Sequence, residues 1–175
     1  MKLVLIGYRG TGKTSLAKLV AERLKLDLIS MDDEIVKKLG RSIPAIIEEF
    51  GWEFFRNVEA EVAFDLKDKK NCFIDTGGGA ILREKNALSL KKDAFVIWLK
   101  ADITTIMKRI QNNNQRPSLT GRKSFVEEVE EVLKERTPLY KKYADYVIDT
   151  DNKELVELVD EVLGAINDNY RFSEK

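Results

Sequence analysis

The feature that most constrains this chain is Gly7-Tyr8-Arg9-Gly10-Thr11-Gly12-Lys13-Thr14, set directly behind the apolar run at residues 3–6. Its spacing fits G-x-x-x-x-G-K-[ST], and a helical stripe of Leu16, Leu19, Val20 and Leu24 follows it. A strand that breaks into glycines and re-enters as a helix gathers backbone N–H groups at the positive end of that helix, where they cradle phosphate oxygens. Gly10, Thr11, Gly12, Lys13, Thr14 and Ser15 are the expected nucleotide-binding residues. Lys13 is expected to bridge the β- and γ-phosphates, with the Thr14 hydroxyl on Mg²⁺. The motif predicts a P-loop nucleotide-binding protein and leaves open what receives the phosphate.

Apolar bursts and helical periodicities alternate along the rest of the chain. Residues 27–29, 72–75, 95–99 and 146–148 read as further strands. Helical patterns fall at 33–39, after Ser42, at 52–67 beyond Gly51, from Ile103, at 124–135 and at 153–166. The last carries Leu155, Leu158, Val159, Val162 and Ile166 on one stripe. Such alternation predicts a single three-layer α/β domain over 1–166, a five-stranded parallel sheet flanked by helices, with a polar tail at 167–175.

Composition narrows the function classes. Thirty basic residues balance thirty acidic ones, so no net field points to nucleic acid or to an anionic membrane. With no histidine and one cysteine, a histidine-based triad and a structural zinc site are excluded. Cys72 sits in an apolar stretch and reads as a buried thiol of a reducing compartment. The run at 3–6 is too short for a signal peptide, and no run reaches membrane-spanning length. A cytoplasmic protein is expected, and nothing demands more than a monomer.

Several polar residues stand at the ends of predicted elements, where ligands of an open α/β sheet gather. Asp32 follows the second strand, although acids before a helix also cap it and offset its dipole. Arg56 alone would be a charge on a solvated face, and Arg136 a charge near a helix end. Gly77-Gly78-Gly79 closes the third strand, and three glycines let backbone approach a ligand closely. No N-K-x-D guanine-reading motif is present, which argues against a switch GTPase.

Together these positions resemble the shikimate kinase family. The resemblance runs from Leu3 to about Val162. It rests on the glycine-rich loop, Asp32 ahead of Gly40-Arg41-Ser42-Ile43, and Phe55-Arg56. It continues through Thr76-Gly77-Gly78-Gly79-Ala80, Arg116-Pro117-Ser118-Leu119 and Arg136-Thr137-Pro138-Leu139-Tyr140. It implies a P-loop kinase fold with a mobile lid at about 111–123, a shikimate-binding region at about 32–61, and transfer of the ATP γ-phosphate to the 3-hydroxyl of shikimate. Arg56 and Arg136 would hold the carboxylate, with Gly77, Gly78 and Gly79 beside it. Asp32 would accept hydrogen bonds from shikimate hydroxyls and take the proton of the attacking one. Arg116 would reach the ATP phosphates, and Asp149, in Val147-Ile148-Asp149-Thr150, would lie along adenine.

The family commonly carries D-x-D after its second strand, whereas this chain has Ser30-Met31-Asp32. Asp75, ending the third strand where P-loop proteins often keep an acid, is the expected replacement at magnesium, beside Thr14; a strand-end aspartate capping its own turn is the alternative. Arg9 is a further basic group in the loop with no role assigned. Two other readings stay open: a gluconate or nucleoside monophosphate kinase on the same fold, and a nucleotide-binding regulator without turnover.

Overall fold

The computed structural model describes residues 1–110 and 125–172. Five strands, β1 (Lys2–Ile6), β2 (Asp27–Ser30), β3 (Cys72–Asp75), β4 (Phe95–Lys100) and β5 (Tyr146–Asp149), form one parallel sheet in the order β2-β3-β1-β4-β5. Seven helices among the described residues complete it: α1 (Lys13–Leu24), α2 (Met31–Leu39), α3 (Ile43–Asp65), α4 (Glu84–Lys91), α5 (Ile103–Ile110), α6 (Phe125–Tyr143) and α7 (Leu155–Phe172). The order reverses at β1, with β3 on one side and β4 on the other. Ligands of such sheets sit beyond the strand ends at that reversal.

The strands alternate strictly between two cores. Leu3 and Leu5 of β1, with Phe95, Ile97 and Leu99 of β4, face α1 and α7. Val4 and Ile6, with Val96 and Trp98, face the side built by α2, α3, α4 and the end of α6. Burial on both faces explains why β1 and β4 read as unbroken apolar runs. A third cluster joins Tyr8 to Ile106 of α5 and to Val129 and Val132 of α6, beneath the glycine-rich loop.

Three local departures from the sequence reading stand out. In α1 the buried stripe is Leu16, Ala17, Val20 and Ala21, and Leu19 is exposed. Helix α6 continues past Glu135 through Pro138, which removes one N–H donor without ending the helix. Helix α7 runs to Phe172, so the closing helix extends beyond Ile166 into the expected tail. Elsewhere punctuation was readable. Ser42 caps α3 through its hydroxyl, with Pro44 in the first turn, and Gly51 (φ 79°, ψ 170°) breaks that helix into two segments. No described helix is long and apolar enough to cross a membrane.

Candidate active site

The glycine-rich loop leads from β1 into α1. Gly12 is the N-cap of α1 at φ 91°, a conformation that favours glycine, and no side chain caps the helix. The first-turn N–H groups of α1 are therefore left to a ligand rather than to a capping oxygen. Lys13 is 8% exposed and donates to the Tyr8 carbonyl at 2.9 Å. The Thr11 hydroxyl donates to the same carbonyl at 2.8 Å. One carbonyl thus braces the loop from inside and holds the lysine across it.

Beside Lys13, the Thr14 hydroxyl donates to Oδ2 of Asp75 at 2.6 Å. Asp75 is 7% exposed, and its Oδ1 is buried with no hydrogen-bond partner. Burial raises its pKa, against the pull of Lys13 and the Thr14 hydrogen bond. Ser30 is the register partner of Asp75 across β2 and β3. The Ser30 hydroxyl accepts from the Asp33 N–H at 3.1 Å and caps α2. Gly10, Gly12, Lys13, Thr14, Asp75 and Asp32 line one cavity of about 440 Å³, together with Arg9, Arg109, Ser30 and Gly77.

A second cavity adjoins it, lined by Asp32, Arg56, Glu59, Gly78, Gly79 and Arg136 with the apolar walls of Ile43, Trp52 and Phe55. Arg56 lies on α3 beyond the break at Gly51 and donates to both oxygens of Glu59, at 2.9 and 2.7 Å. Glu59 is 1% exposed; burial raises its pKa, and Arg56, Arg136 and Arg83 pull it back. Arg136, on the stretch of α6 that carries Pro138, donates to the Gly78 carbonyl at 3.1 Å. The Tyr140 hydroxyl donates to that carbonyl at 2.5 Å, and burial raises the tyrosine's pKa strongly. A Cβ on Gly79 would collide with the Arg56 guanidinium, so any side chain there would have to push Arg56 from its place.

The structure therefore gathers most of the predicted residues at one end of the sheet: Gly10, Gly12, Lys13, Thr14, Asp32, Arg56, Asp75, Gly77, Gly78, Gly79 and Arg136. Three stand outside both cavities. Thr11 is buried beneath the loop, and Ser15 is exposed on α1. The Asp149 carboxylate accepts from the Asp151 N–H at 3.0 Å and from Lys100 at 3.2 Å, contacts that lower its pKa. The expected lid at 111–123, with Arg116, lies outside the described residues.

Sequence reasoning missed Glu59 and Arg109. Glu59 stands three residues after Arg56, a spacing that on a surface helix is an ordinary ion pair, and only burial distinguishes it. Arg109, at the end of α5, donates to the Thr150 hydroxyl at 3.0 Å and to its carbonyl at 3.2 Å while lining the loop cavity. Its sequence signal is only that of a basic residue in a last helical turn.

This geometry meets independent likenesses. The model of the family "Shikimate kinase" matches residues 9–167. A shikimate kinase of Syntrophus aciditrophicus is 41% identical over 92% of this chain and 88% of its own length. One of Thermodesulfovibrio yellowstonii is 39% identical over 92% of both. Among solved structures, the shikimate kinase of Acinetobacter baumannii in complex with shikimate superposes with a TM-score of 0.90 at 32% identity, over 96% of this chain and 93% of that one.

Proposed function

The chain belongs to the shikimate kinase family, and on that premise we propose that it transfers the γ-phosphate of ATP to the 3-hydroxyl of shikimate. The observation that carries the reading is the adjacency of two unlike cavities. One is a phosphate grip built on Lys13 and Thr14, and the other holds Arg56 and Arg136 with Asp32 on the shared wall. Two guanidiniums beside a carboxylate acceptor suit a small polyhydroxylated acid, because each pairs with a carboxylate in two-pronged fashion.

In this reading Arg56 and Arg136 hold the substrate carboxylate. The Glu59 carboxylate fixes Arg56, while the Gly78 carbonyl fixes Arg136. Asp32 takes the hydrogen bonds of the ring hydroxyls and receives the proton of the attacking one. Lys13 and the first turn of α1 hold the β- and γ-phosphates, and Arg109 flanks the nucleotide beside Thr150. We assign Arg116 to the ATP phosphates, and Asp149 to the adenine side, on the sequence resemblance. Phosphoryl transfer asks mainly for positioning and charge neutralisation, which these groups supply.

Mg²⁺ fits this donor set. The Thr14 hydroxyl and the buried, unpartnered Oδ1 of Asp75 are hard oxygen donors at the base of the phosphate cavity. When bound there, the ion would neutralise charge on the phosphate oxygens. A cytoplasmic monomer is part of the same proposal, and the free, buried thiol of Cys72 supports its reducing compartment.

The test is ADP release with Mg-ATP and, in parallel, shikimate, gluconate or a nucleoside monophosphate. Stimulation by shikimate alone is expected. Stimulation by another acceptor instead would move the substrate assignment, and tight ATP binding with no turnover would favour a regulator.

A further inference from the structure

Arg9 occupies the third position of the glycine-rich loop, and the reading above gives it no part. The two cavities share four lining residues: Arg9, Asp32, Gly77 and Gly78. Lys13 and Arg109 line only the phosphate cavity, whereas Arg56 and Arg136 line only the acceptor cavity. Among the described residues, Arg9 is thus the one cation on both walls, and Asp32 the one anion. A phosphoryl group passing from one cavity to the other crosses between them.

The side chain is held there by design of the fold. Arg9 donates through Nη2 to Oε1 of Glu128 at 3.2 Å. Glu128 is only 1% exposed, on the first turn of α6, in the apolar surroundings of Val129 and Val132. A carboxylate so desolvated requires a cation beside it. On the other side, the Arg9 guanidinium carbon lies 5.7 Å from the centroid of the buried Tyr8 ring. The Arg9 backbone nitrogen approaches to 3.3 Å of where a Gly78 Cβ would stand, which binds the loop closely to the acceptor wall. Arg9 keeps 15% of its side chain exposed on the wall it lines.

We infer that Arg9 is a catalytic arginine supplied within the loop itself, contacting the phosphoryl group in transit, and that Glu128 is its positioning residue. The inference rests on the proposed phosphoryl transfer to shikimate. In that step the bond from the γ-phosphorus to the β,γ-bridging oxygen breaks as the bond to the acceptor hydroxyl oxygen forms. ADP leaves with the bridging electron pair, and the hydroxyl proton goes to Asp32. Charge spreads over the equatorial oxygens of the transferring group, and a guanidinium at the junction stabilises it most at that moment.

The test compares wild type with Arg9→Met, Arg9→Lys, Glu128→Gln and the double variant Arg9→Met/Glu128→Gln. Steady-state kinetics are read beside thermal melts, ADP binding, and trapping of ADP with fluoroaluminate and shikimate. Arg9→Met is expected to lower kcat by about a hundredfold, with both KM values within about threefold. It should lose fluoroaluminate trapping and keep ADP binding. Arg9→Lys, with the charge but not the fork, should be intermediate, and Glu128→Gln should lose less than Arg9→Met. The double variant removes the Glu128 charge together with the Arg9 charge that pairs with it, so it should melt near wild type and still show the full kcat loss.

A double variant with wild-type kcat and trapping overturns the role, leaving Arg9 a brace for α6. A loss confined to the KM for shikimate also overturns it, making Arg9 part of the carboxylate clamp. If the wild-type chain itself releases no ADP with shikimate, the substrate reading fails first and takes this role with it. The wild-type arm therefore separates the two failures.

Discussion

The Thr14 hydroxyl, on the first turn of α1, donates a 2.6 Å hydrogen bond to Oδ2 of Asp75 at the end of β3. That bond ties the phosphate-binding helix to the strand that leads into the acceptor wall. The register partner of Asp75 is Ser30 on β2. Where β2 ends in the Ser30 hydroxyl, the neighbouring strand thus ends in a carboxylate.

Asp75→Asn is expected to weaken divalent-ion binding by the nucleotide complex by about tenfold or more, the usual scale for losing one supporting ligand. Asparagine still accepts from Thr14, so the loop should keep its shape and ADP binding without metal should be unchanged. Manganese titration followed by electron paramagnetic resonance checks this directly. An unchanged manganese affinity would remove Asp75 from the metal site.

The same substitution has a pH signature. Burial raises the Asp75 pKa above its ordinary value near 4. A carboxyl so shifted favours folding while protonated, below its ordinary pKa, and that contribution is lost as pH rises through the raised one. Asp75→Asn should therefore melt higher than wild type at neutral pH, with the gap narrowing as pH falls through the raised pKa and gone by about pH 4. Melting curves of the ligand-free protein across that range test the sign.

Gly79→Ala places a methyl on the Arg56 guanidinium. Displacing Arg56 removes a charge-assisted contact worth about 1.5–3 kcal/mol, so the shikimate KM should rise by about ten- to a hundredfold. The KM for ATP should hold, since Arg56 does not line the phosphate cavity. Parallel saturation curves for the two substrates decide it.

Tyr140→Phe removes one of the two donors on the Gly78 carbonyl and leaves Arg136 in place at 3.1 Å. A net loss of about 1 kcal/mol is expected, equivalent to about 2–4 °C in Tm for a chain of this size. Thermal unfolding measures it. A larger fall would mean that Arg136 does not hold the carbonyl alone.

How much of this was legible in the sequence depends on the range of the forces involved. Local chemistry was readable: the loop glycines, the Ser42 cap and the Gly51 break are set by residues a few positions apart. Helix α4 left little trace, because its eight residues bury only Asn86, Ala87 and Leu90 and no side chain caps it. The helical pattern read from the sequence ended at Glu135, yet α6 runs on, and Arg136 and Tyr140 on either side of Pro138 reach the same carbonyl, 58 and 62 residues back along the chain. Tertiary bonds there outweigh a local preference. Glu59, Arg109 and Glu128 were invisible for a related reason: their burial or their partners come from distant elements, and no spacing announces that.

Helix α6 touches both halves of the site, through Glu128 on the loop and Arg136 on the acceptor wall. The two are eight residues apart on one helix, about 12 Å along its axis. The helix therefore works as a gauge block, setting the separation between phosphate donor and acid anchor independently of the sheet. One residue inserted between them would turn one contact by about 100° relative to the other. Length in this segment is accordingly a tolerance on the distance a phosphoryl group must travel.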